Sequence, residues 1–448
     1  MSSMRDRTIA QLLRLASCAL VAALTGAMIC SCGGGSAGAG SNGDGAGTGE
    51  APTIADLTYS PSAAFQSSNG VVTITGTVAF AAPSGNLATL RLTTSAGADL
   101  ASPIPDAFGK TAGQLTGQVN VSSEIVGHYT FEIWVVDGNG NSSNRLAGSF
   151  EVLPNVGTSW TRLVSPTGAD LHRAAWSGTR FVAVGASGAI VTSDDGVAWN
   201  SVASGTTNSL NGVAWIENQF VAVGEHGTVL MSLDGTTWTA AASPAADVSL
   251  RAVAGAGPLI VVAGGSEVFT SSDGAIWTKR VSSTPGWIFN GLARSGTVFV
   301  AIGWDTLSGS GPVTFWTSVD GTTWSSEAVG SSVTPYLFDI IWSGSKFVAV
   351  GWGTGAISTD GTNWKLFGMN VAGVTTFPAF GLSASGVASD GQMFLSVGDV
   401  WSQVERSADG SNWNEFISTP ALDAVNGIAW GNGRFVVVGQ SGAIFTTP

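Results

Sequence analysis

The chain has 448 residues, only 10% of them charged, and a formal net charge of −13. This acidic balance, without a basic stripe, disfavours nucleic acid as a partner because such a surface repels phosphate backbones. The chain contains 62 glycines and 17 tryptophans, and after residue 30 no segment keeps a helical period of about 3.6 residues. These features are typical of short strands and tight turns, so the sequence predicts an all-β fold.

Residues 1–31 have the pattern of a lipoprotein signal peptide. A basic, polar start precedes the apolar run LASCALVAALTGAMI, which is too short to span a bilayer comfortably. The sequence ICSC at 29–32 resembles a bacterial lipobox, which implies that Cys32 receives the lipid. Cys30 remains an alternative acceptor, and an ordinary signal peptide with incidental cysteines is the other interpretation.

Residues 32–50 are rich in glycine and are predicted to form a flexible tether. A lipid at its start would hold the protein on a membrane surface. Gly33, directly after Cys32, resembles the corresponding residue of lipoproteins sorted to the outer membrane. We therefore expect a lipid-anchored protein of the cell envelope, with the membrane side left open.

Residues 51–153 show the two-residue alternation of β-strands between turn-rich gaps, which suggests a β-sandwich. The segment GHYTFEIWVVDGNGNSSN resembles the late strands of bacterial immunoglobulin-like and fibronectin-like modules, so the resemblance implies an immunoglobulin-like domain. Its residues Asp137, Asn139 and Asn141 have the spacing of calcium ligands. Asx-turn hydrogen bonding in a hairpin explains these residues more simply.

Residues 154–448 are periodic. The pattern Ser-x-Asp-Gly-x-x-Trp occurs six times, and each unit of about 40 residues holds four short apolar runs, as a propeller blade does. A seventh unit stops at Pro448, before its fourth strand. The segment at 158–165, which contains Trp160, is the expected donor of that strand. The sequence therefore predicts a seven-bladed β-propeller that is closed by its N-terminal strand.

The repeated pattern resembles the Asp-box, or BNR, repeat of sialidase-type propellers and of the related photosystem assembly-factor-like propellers. It differs from the commonest form because Asp and Gly are adjacent. In those families the repeat is a structural turn on the face away from the active site, so the resemblance implies a structural role for its aspartates. These are Asp195, Asp234, Asp273, Asp320, Asp360 and Asp409.

The opposite face of the ring is expected to carry the loops between blades and between second and third strands. These loops are longest in blades four to six and contain several aromatic residues, which predicts a groove for a glycan or an extended polypeptide. The alternative is that the rings only pack the loops together. The candidate binding residues are Trp287, Trp304, Tyr336, Trp352 and Trp401, with Phe377 in a neighbouring loop.

An enzyme would need acidic residues in that groove. Asp305 and Asp399 are candidates for the carboxylate pair of a glycoside hydrolase, and Glu225 and His226 lie in the equivalent loop of blade two. The sialidase resemblance implies a Tyr-Glu nucleophile pair, whereas the repeat region contains one tyrosine, Tyr336.

The sialidase resemblance also implies an arginine cluster, and the arginines of the repeat region are scattered. Arg173, Arg251 and Arg294 nevertheless lie near the first strands of blades one, three and four, which leaves a partial anion site open. All three cysteines lie in the first 32 residues and the three histidines are widely spaced, so neither a metal nor a cofactor is expected.

The sequence thus favours a monomeric, non-catalytic binding or assembly scaffold. Its expected partner is an envelope protein or a glycan, which it would recognise through the loop face of blades four to six. The alternative is a sialidase-like or other glycoside hydrolase that acts on extracellular glycans.

Overall fold

The structure, a computed structural model, describes residues 50–448 except 68–69, 96, 156–158, 284–285, 307–310, 334–335, 369–383, 399–403, 414 and 418–424. The chain divides into two compact units, Met1–Asn155 and Val156–Pro448. Within the described ranges nearly all regular structure is β-strand, and no helix is long or apolar enough to cross a membrane. The helical segments described are four 3-10 turns, Pro105–Ala107, Ala186–Gly188, Glu225–Gly227 and Gln440–Gly442.

The first unit contains two β-sheets. One is three-stranded, in the order β1-β3-β6, and the other is five-stranded, in the order β2-β8-β7-β4-β5. All pairs are antiparallel except β2 with β8. The strands are β1 (Thr53–Ser60), β2 (Ala63–Phe65), β3 (Val71–Ala81), β4 (Leu87–Thr94), β5 (Asp99–Pro103), β6 (Ala112–Ser122), β7 (Gly127–Asp137) and β8 (Leu146–Leu153).

The two sheets of the first unit share a core, because alternate residues of both point inward. Phe80 and Leu115 of the smaller sheet are buried with Leu87 and Ile133 of the larger sheet. An apolar cavity of about 120 Å³ also lies between the two sheets. The unit is therefore a sandwich with a partly open interior.

The second unit contains seven four-stranded antiparallel sheets within its described residues, here called sheets 1 to 7. Sheet 7 takes its outer strand, β9 (Thr161–Arg162), from the start of the unit, where Arg162 pairs with Phe445. The first three sheets consist of β10 (Leu171–Trp176), β11 (Phe181–Gly185), β12 (Ile190–Ser193) and β13 (Asn200–Val202); β14 (Leu210–Ile216), β15 (Gln219–Gly224), β16 (Val229–Ser232) and β17 (Thr239–Ala240); and β18 (Leu250–Ala256), β19 (Leu259–Gly264), β20 (Glu267–Ser271) and β21 (Thr278–Ser282).

Sheets 4 to 6 are built in the same order, and sheet 7 adds three strands to β9. These strands are β22 (Trp287–Arg294), β23 (Phe299–Asp305), β24 (Gly311–Ser318) and β25 (Ser325–Val333); β26 (Leu337–Trp342), β27 (Phe347–Gly351), β28 (Thr354–Ser358) and β29 (Lys365–Gly368); β30 (Ala384–Ser389), β31 (Phe394–Gly398), β32 (Val404–Ser407) and β33 (Glu415–Ile417); and β34 (Val425–Gly431), β35 (Arg434–Gly439) and β36 (Ile444–Thr446).

The seven sheets are arranged in a cycle. The first strand of each sheet contacts the first strand of the next, and β34 of sheet 7 contacts β10 of sheet 1. The second strands, such as β11 and β27, are buried along their whole length because each sheet is covered on both faces by its neighbours. The first strands therefore form the inside of the ring.

Candidate functional site

The six repeated turns connect the third and fourth strands of sheets 1 to 6, and in each of them the serine hydroxyl and two backbone N–H groups donate to Oδ1 of the aspartate. In sheet 2, the Ser232 hydroxyl donates to Asp234 Oδ1 and accepts from the Gly235 N–H at 2.8 Å. Asp234 Oδ1 also accepts from the N–H groups of Thr236 and Thr237, at 2.7 Å each. Gly235 has a φ of 73°, a conformation that glycine adopts without a Cβ clash. The edge that carries these turns is called the hairpin edge below.

The turn aspartates are held as ionised hydrogen-bond acceptors. The N–H groups of Thr237 and Thr236 keep the pKa of Asp234 well below its usual range. The pKa of Asp360 is lowered in the same way, first by the side-chain amide of Asn363. A carboxylate in this state is a poor general acid, so the hairpin edge supplies no catalytic group of that kind.

The opposite edge, at which each second strand ends, is called the loop edge. Its second strands end at Gly185, Gly224, Gly264, Asp305, Gly351, Gly398 and Gly439. In sheets 1, 2 and 7 the chain turns there through three residues, whose middle members Ser187, His226 and Ser441 have φ between 53° and 55°. His226 thus takes the middle position of a turn in which sheets 1 and 7 have serine, and Glu225 precedes it in the same turn.

Three of the aromatic residues predicted to bind a ligand lie together at the loop edge of sheets 4 and 5. The rings of Trp304 and Tyr336 meet edge to face with centroids 4.8 Å apart, and Tyr336 lies 6.4 Å from Trp352. The backbone N–H of Trp352 donates to the backbone carbonyl of Tyr336 at 2.8 Å. Trp304 and Tyr336 are half-buried, whereas Trp352 is 38% exposed. We call these three residues the aromatic cluster.

Trp287 is on the other side of sheet 4. It packs against Phe289 with ring centroids 5.9 Å apart, and Ile288 between them is paired with Trp304. Since neighbouring residues of a strand face opposite ways, Trp287 and Trp304 lie on opposite faces of the sheet. The sequence predicts that both residues line one groove, whereas the structure places Trp287 on the other face of the sheet from Trp304.

The prediction that Trp287, Trp304 and Asp305 lie in loops is wrong. The strands β22 and β23 are longer than their equivalents, so Trp287 pairs with Asp305 at their ends. The remaining candidates Cys32, Phe377, Asp399 and Trp401 lie outside the described residues. The separation of Asp305 from Asp399 therefore stays a sequence hypothesis.

The inner strands carry a belt of mostly polar side chains, of which the sequence pointed only to the arginines near the first strands. Each first strand has a β-bulge, and the side chain at the bulge usually reaches the backbone of the next sheet. His172 Nδ1 donates to the Leu210 carbonyl at 3.0 Å, and Asn426 Nδ2 donates to the Leu171 carbonyl at 2.9 Å. The seven bulge residues, called the inner belt, are His172, Asn211, Arg251, Asn290, Phe338, Ser385 and Asn426.

In most first strands the residue directly after the inner-belt residue is glycine, but in sheets 1 and 5 it is charged. Arg173 donates to the Asn426 carbonyl at 2.8 Å in the neighbouring sheet 7, and to the Phe338 carbonyl at 3.4 Å in sheet 5, across the ring. Asp339 Oδ2 accepts from the Val387 N–H at 3.0 Å. Burial raises the pKa of Asp339, although the charge of Arg173 acts against this shift.

A buried acid interrupts the apolar core of sheet 6. Glu405 is 5% exposed, and neither of its carboxylate oxygens has a hydrogen-bond partner among the described residues. Burial raises the pKa of Glu405 to about 8. The equivalent position holds Leu230 in sheet 2 and Phe445 in sheet 7. The strand pairing is the same in the three sheets, and only the side chain differs.

The aspartate of the predicted hairpin in the first unit also acts as a turn former. Asp137 Oδ1 accepts from the N–H groups of Asn139 and Asn141 at 2.9 and 2.8 Å. No group of three or more metal-ligating side chains occurs in the part of the chain that the structure describes.

No protein-family model matches the chain, and no curated protein matches it. Among solved structures, selenomethionine-substituted virginiamycin B lyase from Staphylococcus aureus is similar, with a TM-score of 0.54 and 7% identity over 64% of this chain and 98% of that one. The WD40 β-propeller domain of Doa1 (TM-score 0.49, 9% identity, 65% and 97% covered) and the β-propeller domain of Cps50 (Swd1) from Myceliophteria thermophila (0.48, 10%, 64% and 98%) are further similar structures. The cyclic sheets and the likeness to the lyase structure give the second unit a β-propeller fold.

Proposed function

We propose that the chain is a non-catalytic binding scaffold, in which a seven-bladed Asp-box propeller recognises a protein or a glycan through the loop edge of sheets 4 to 6. The aromatic cluster is the observation that carries this proposal. Trp304, Tyr336 and Trp352 supply flat rings that are already packed against each other, so binding orders few side chains. The exposed ring of Trp352 is available to a partner.

We propose that the segments before the propeller hold it at a membrane surface. The first unit would be an immunoglobulin-like spacer, and the glycine-rich tether before it would lead to a lipid on Cys32. The protein would then act as a monomer held in the cell envelope, with the bacterial outer membrane as the favoured location. The lipobox-like sequence at 29–32 supports this anchoring.

The test compares wild-type protein with Trp352→Ala and Trp304→Ala on a glycan array and in affinity capture from a solubilised envelope fraction. Each variant removes one aromatic ring of the cluster and is expected to weaken the wild-type interaction roughly tenfold or more. Ile276→Ala is the matched control because it removes a 75% exposed apolar side chain at the hairpin edge.

The proposal fails if both tryptophan variants bind every wild-type ligand with unchanged affinity. It also fails if the purified protein hydrolyses a glycoside and Asp305→Asn abolishes the turnover. That second result would favour the hydrolase alternative instead.

A further inference from the structure

The inner-belt residue of sheet 3 makes a different contact from that of sheet 2. In sheet 2 the belt residue Asn211 donates to the Leu250 carbonyl at 3.0 Å, which joins it to the backbone of the next sheet. In sheet 3 the belt residue is Arg251, which donates only to the Asn290 side chain, at 3.4 Å, among the described residues. A guanidinium group carries five N–H donors in a planar fork. Most of the donors of Arg251 are therefore directed to no protein acceptor within the described chain.

The charges around Arg251 are unbalanced. Desolvation by the surrounding strands lowers the pKa of Arg251 even though its side chain stays accessible to solvent, and the positive charge of Arg173 lowers it further. Neither arginine forms a salt bridge within the described residues, and Asp339 is the acid that interacts with Arg173. Arg173 thus has a carboxylate beside it, whereas the charged group that acts on Arg251 among the described residues is the like charge of Arg173.

The position is open to solutes. Arg251 is exposed at the inside of the ring, while Arg173 is half-buried and spans from sheet 1 to the Phe338 carbonyl of sheet 5. Phe338 is two residues from Tyr336 of the aromatic cluster, so the arginines lie toward the loop edge. A small ion can approach from the same side as a larger partner.

We propose that the inner belt binds a small oxyanion, a carboxylate or a phosphate group, against the guanidinium fork of Arg251 with Arg173 as the second cation. Such an anion supplies the acceptors that the Arg251 fork lacks and reduces the repulsion between the two arginines. A planar or tetrahedral oxyanion suits the fork better than chloride, because two of its oxygens accept parallel N–H bonds. This site does not depend on the aromatic cluster and goes beyond the proposed function.

The test measures binding of inorganic phosphate and of acetate to the full chain by isothermal titration calorimetry, at an ionic strength held constant with sodium chloride. Wild-type protein is expected to bind one of the two anions saturably at one site, and the tighter of the two identifies the preferred group. Arg251→Gln should weaken that binding roughly tenfold or more. Trp352→Ala should leave it unchanged, which separates this site from the proposed function.

The matched control is Arg280→Gln, which removes the same charge from β21, the outer strand of the sheet that contains Arg251. Its guanidinium already donates to Thr270 Oγ1 at 2.8 Å. Absence of saturable binding by both anions, or an equal loss in Arg280→Gln, overturns the proposal. If Arg251→Gln does not fold, anomalous scattering from wild-type crystals soaked in selenate decides the question. A selenate ion bound to Arg251 supports the site, and no ion there contradicts it.

Discussion

Sheets 1 to 3 and sheets 4 to 6 share the hairpin edge and differ at the loop edge. At the hairpin edge, Ser232 and Ser407 make the same bonds to the turn glycine, at 2.8 and 2.9 Å. At the loop edge, sheet 2 has a three-residue turn, whereas sheets 4 and 5 carry the aromatic cluster. The uniform edge stabilises the ring, and the varied edge is where recognition residues are expected.

The same difference extends into the core. Sheet 2 pairs Leu230 with Ala222, whereas sheet 6 pairs Glu405 with Ser396 at the equivalent positions. A buried acid that lacks hydrogen-bond partners costs free energy of folding. Glu405 therefore contributes less to stability than an apolar residue such as Leu230 does at the equivalent position.

The largest expected effect comes from Glu405→Gln, which should stabilise the protein. The folded state keeps Glu405 protonated up to a pKa of about 8, whereas the unfolded chain releases that proton near pH 4.5. Glu405 therefore does not lower the free energy of unfolding below about pH 4.5, where both states hold the proton. The free energy of unfolding falls as the pH rises from there to about 8. Glutamine removes the loss, which amounts to about 3 kcal/mol at pH 7. Urea denaturation between pH 4 and pH 9 measures it.

The matched variant in sheet 2, Leu230→Gln, should have the opposite sign. Leu230→Gln replaces a buried apolar side chain with an amide that has no hydrogen-bond partner there. It should therefore lower the free energy of unfolding by about 3 kcal/mol. The comparison of the two regions is wrong if both variants destabilise the protein at pH 7. It is also wrong if the stability gain of Glu405→Gln does not grow between pH 5 and pH 8.

Local features of the fold could be predicted from the sequence. The Ser-x-Asp-Gly turn depends on residues within three positions of each other, so its hydrogen bonds follow from the sequence itself. The donation of β9 to sheet 7 follows from Trp160, which lies 39 residues before Trp199, the same interval that separates Trp199 from Trp238. Both inferences use spacing along the chain and need no knowledge of contacts between sheets.

The candidate sites depend on contacts between sheets, which spacing does not reveal. Trp287 and Trp304 looked equivalent because each lies near a predicted loop, but the longer strands of sheet 4 place them on opposite faces. The contact between Arg173 and the Phe338 carbonyl joins residues 165 positions apart. A visible signal for the inner belt was the polar residue that follows the first apolar residue in most first strands, as in Leu210-Asn211.

A second prediction tests whether the hairpin edge is uniform. Ser232→Ala and Ser407→Ala should each lower the free energy of unfolding by about 1–2 kcal/mol, because each leaves a buried glycine N–H without its acceptor. The control Ser201→Ala changes an exposed serine on β13 and should have little effect. Thermal and urea unfolding of the three variants measure the difference. A much larger loss in sheet 2 than in sheet 6 would show that the turns are not equivalent.

The smallest expected effect is the acid dependence of the turn carboxylates. Because the folded state lowers the pKa of Asp234 and Asp360, their stabilisation is present above the unfolded pKa of about 4 and is lost as the pH falls below it. Asp234→Asn should lower stability at pH 7 by less than about 1 kcal/mol, since solvent screens this exposed carboxylate. The deficit should shrink toward pH 2, where wild-type Asp234 is increasingly protonated, and Asp360→Asn should behave alike. Parallel unfolding curves of wild type and variants from pH 7 to pH 2 check this, and a deficit that stays constant would mean that the aspartates contribute shape rather than charge to the turns.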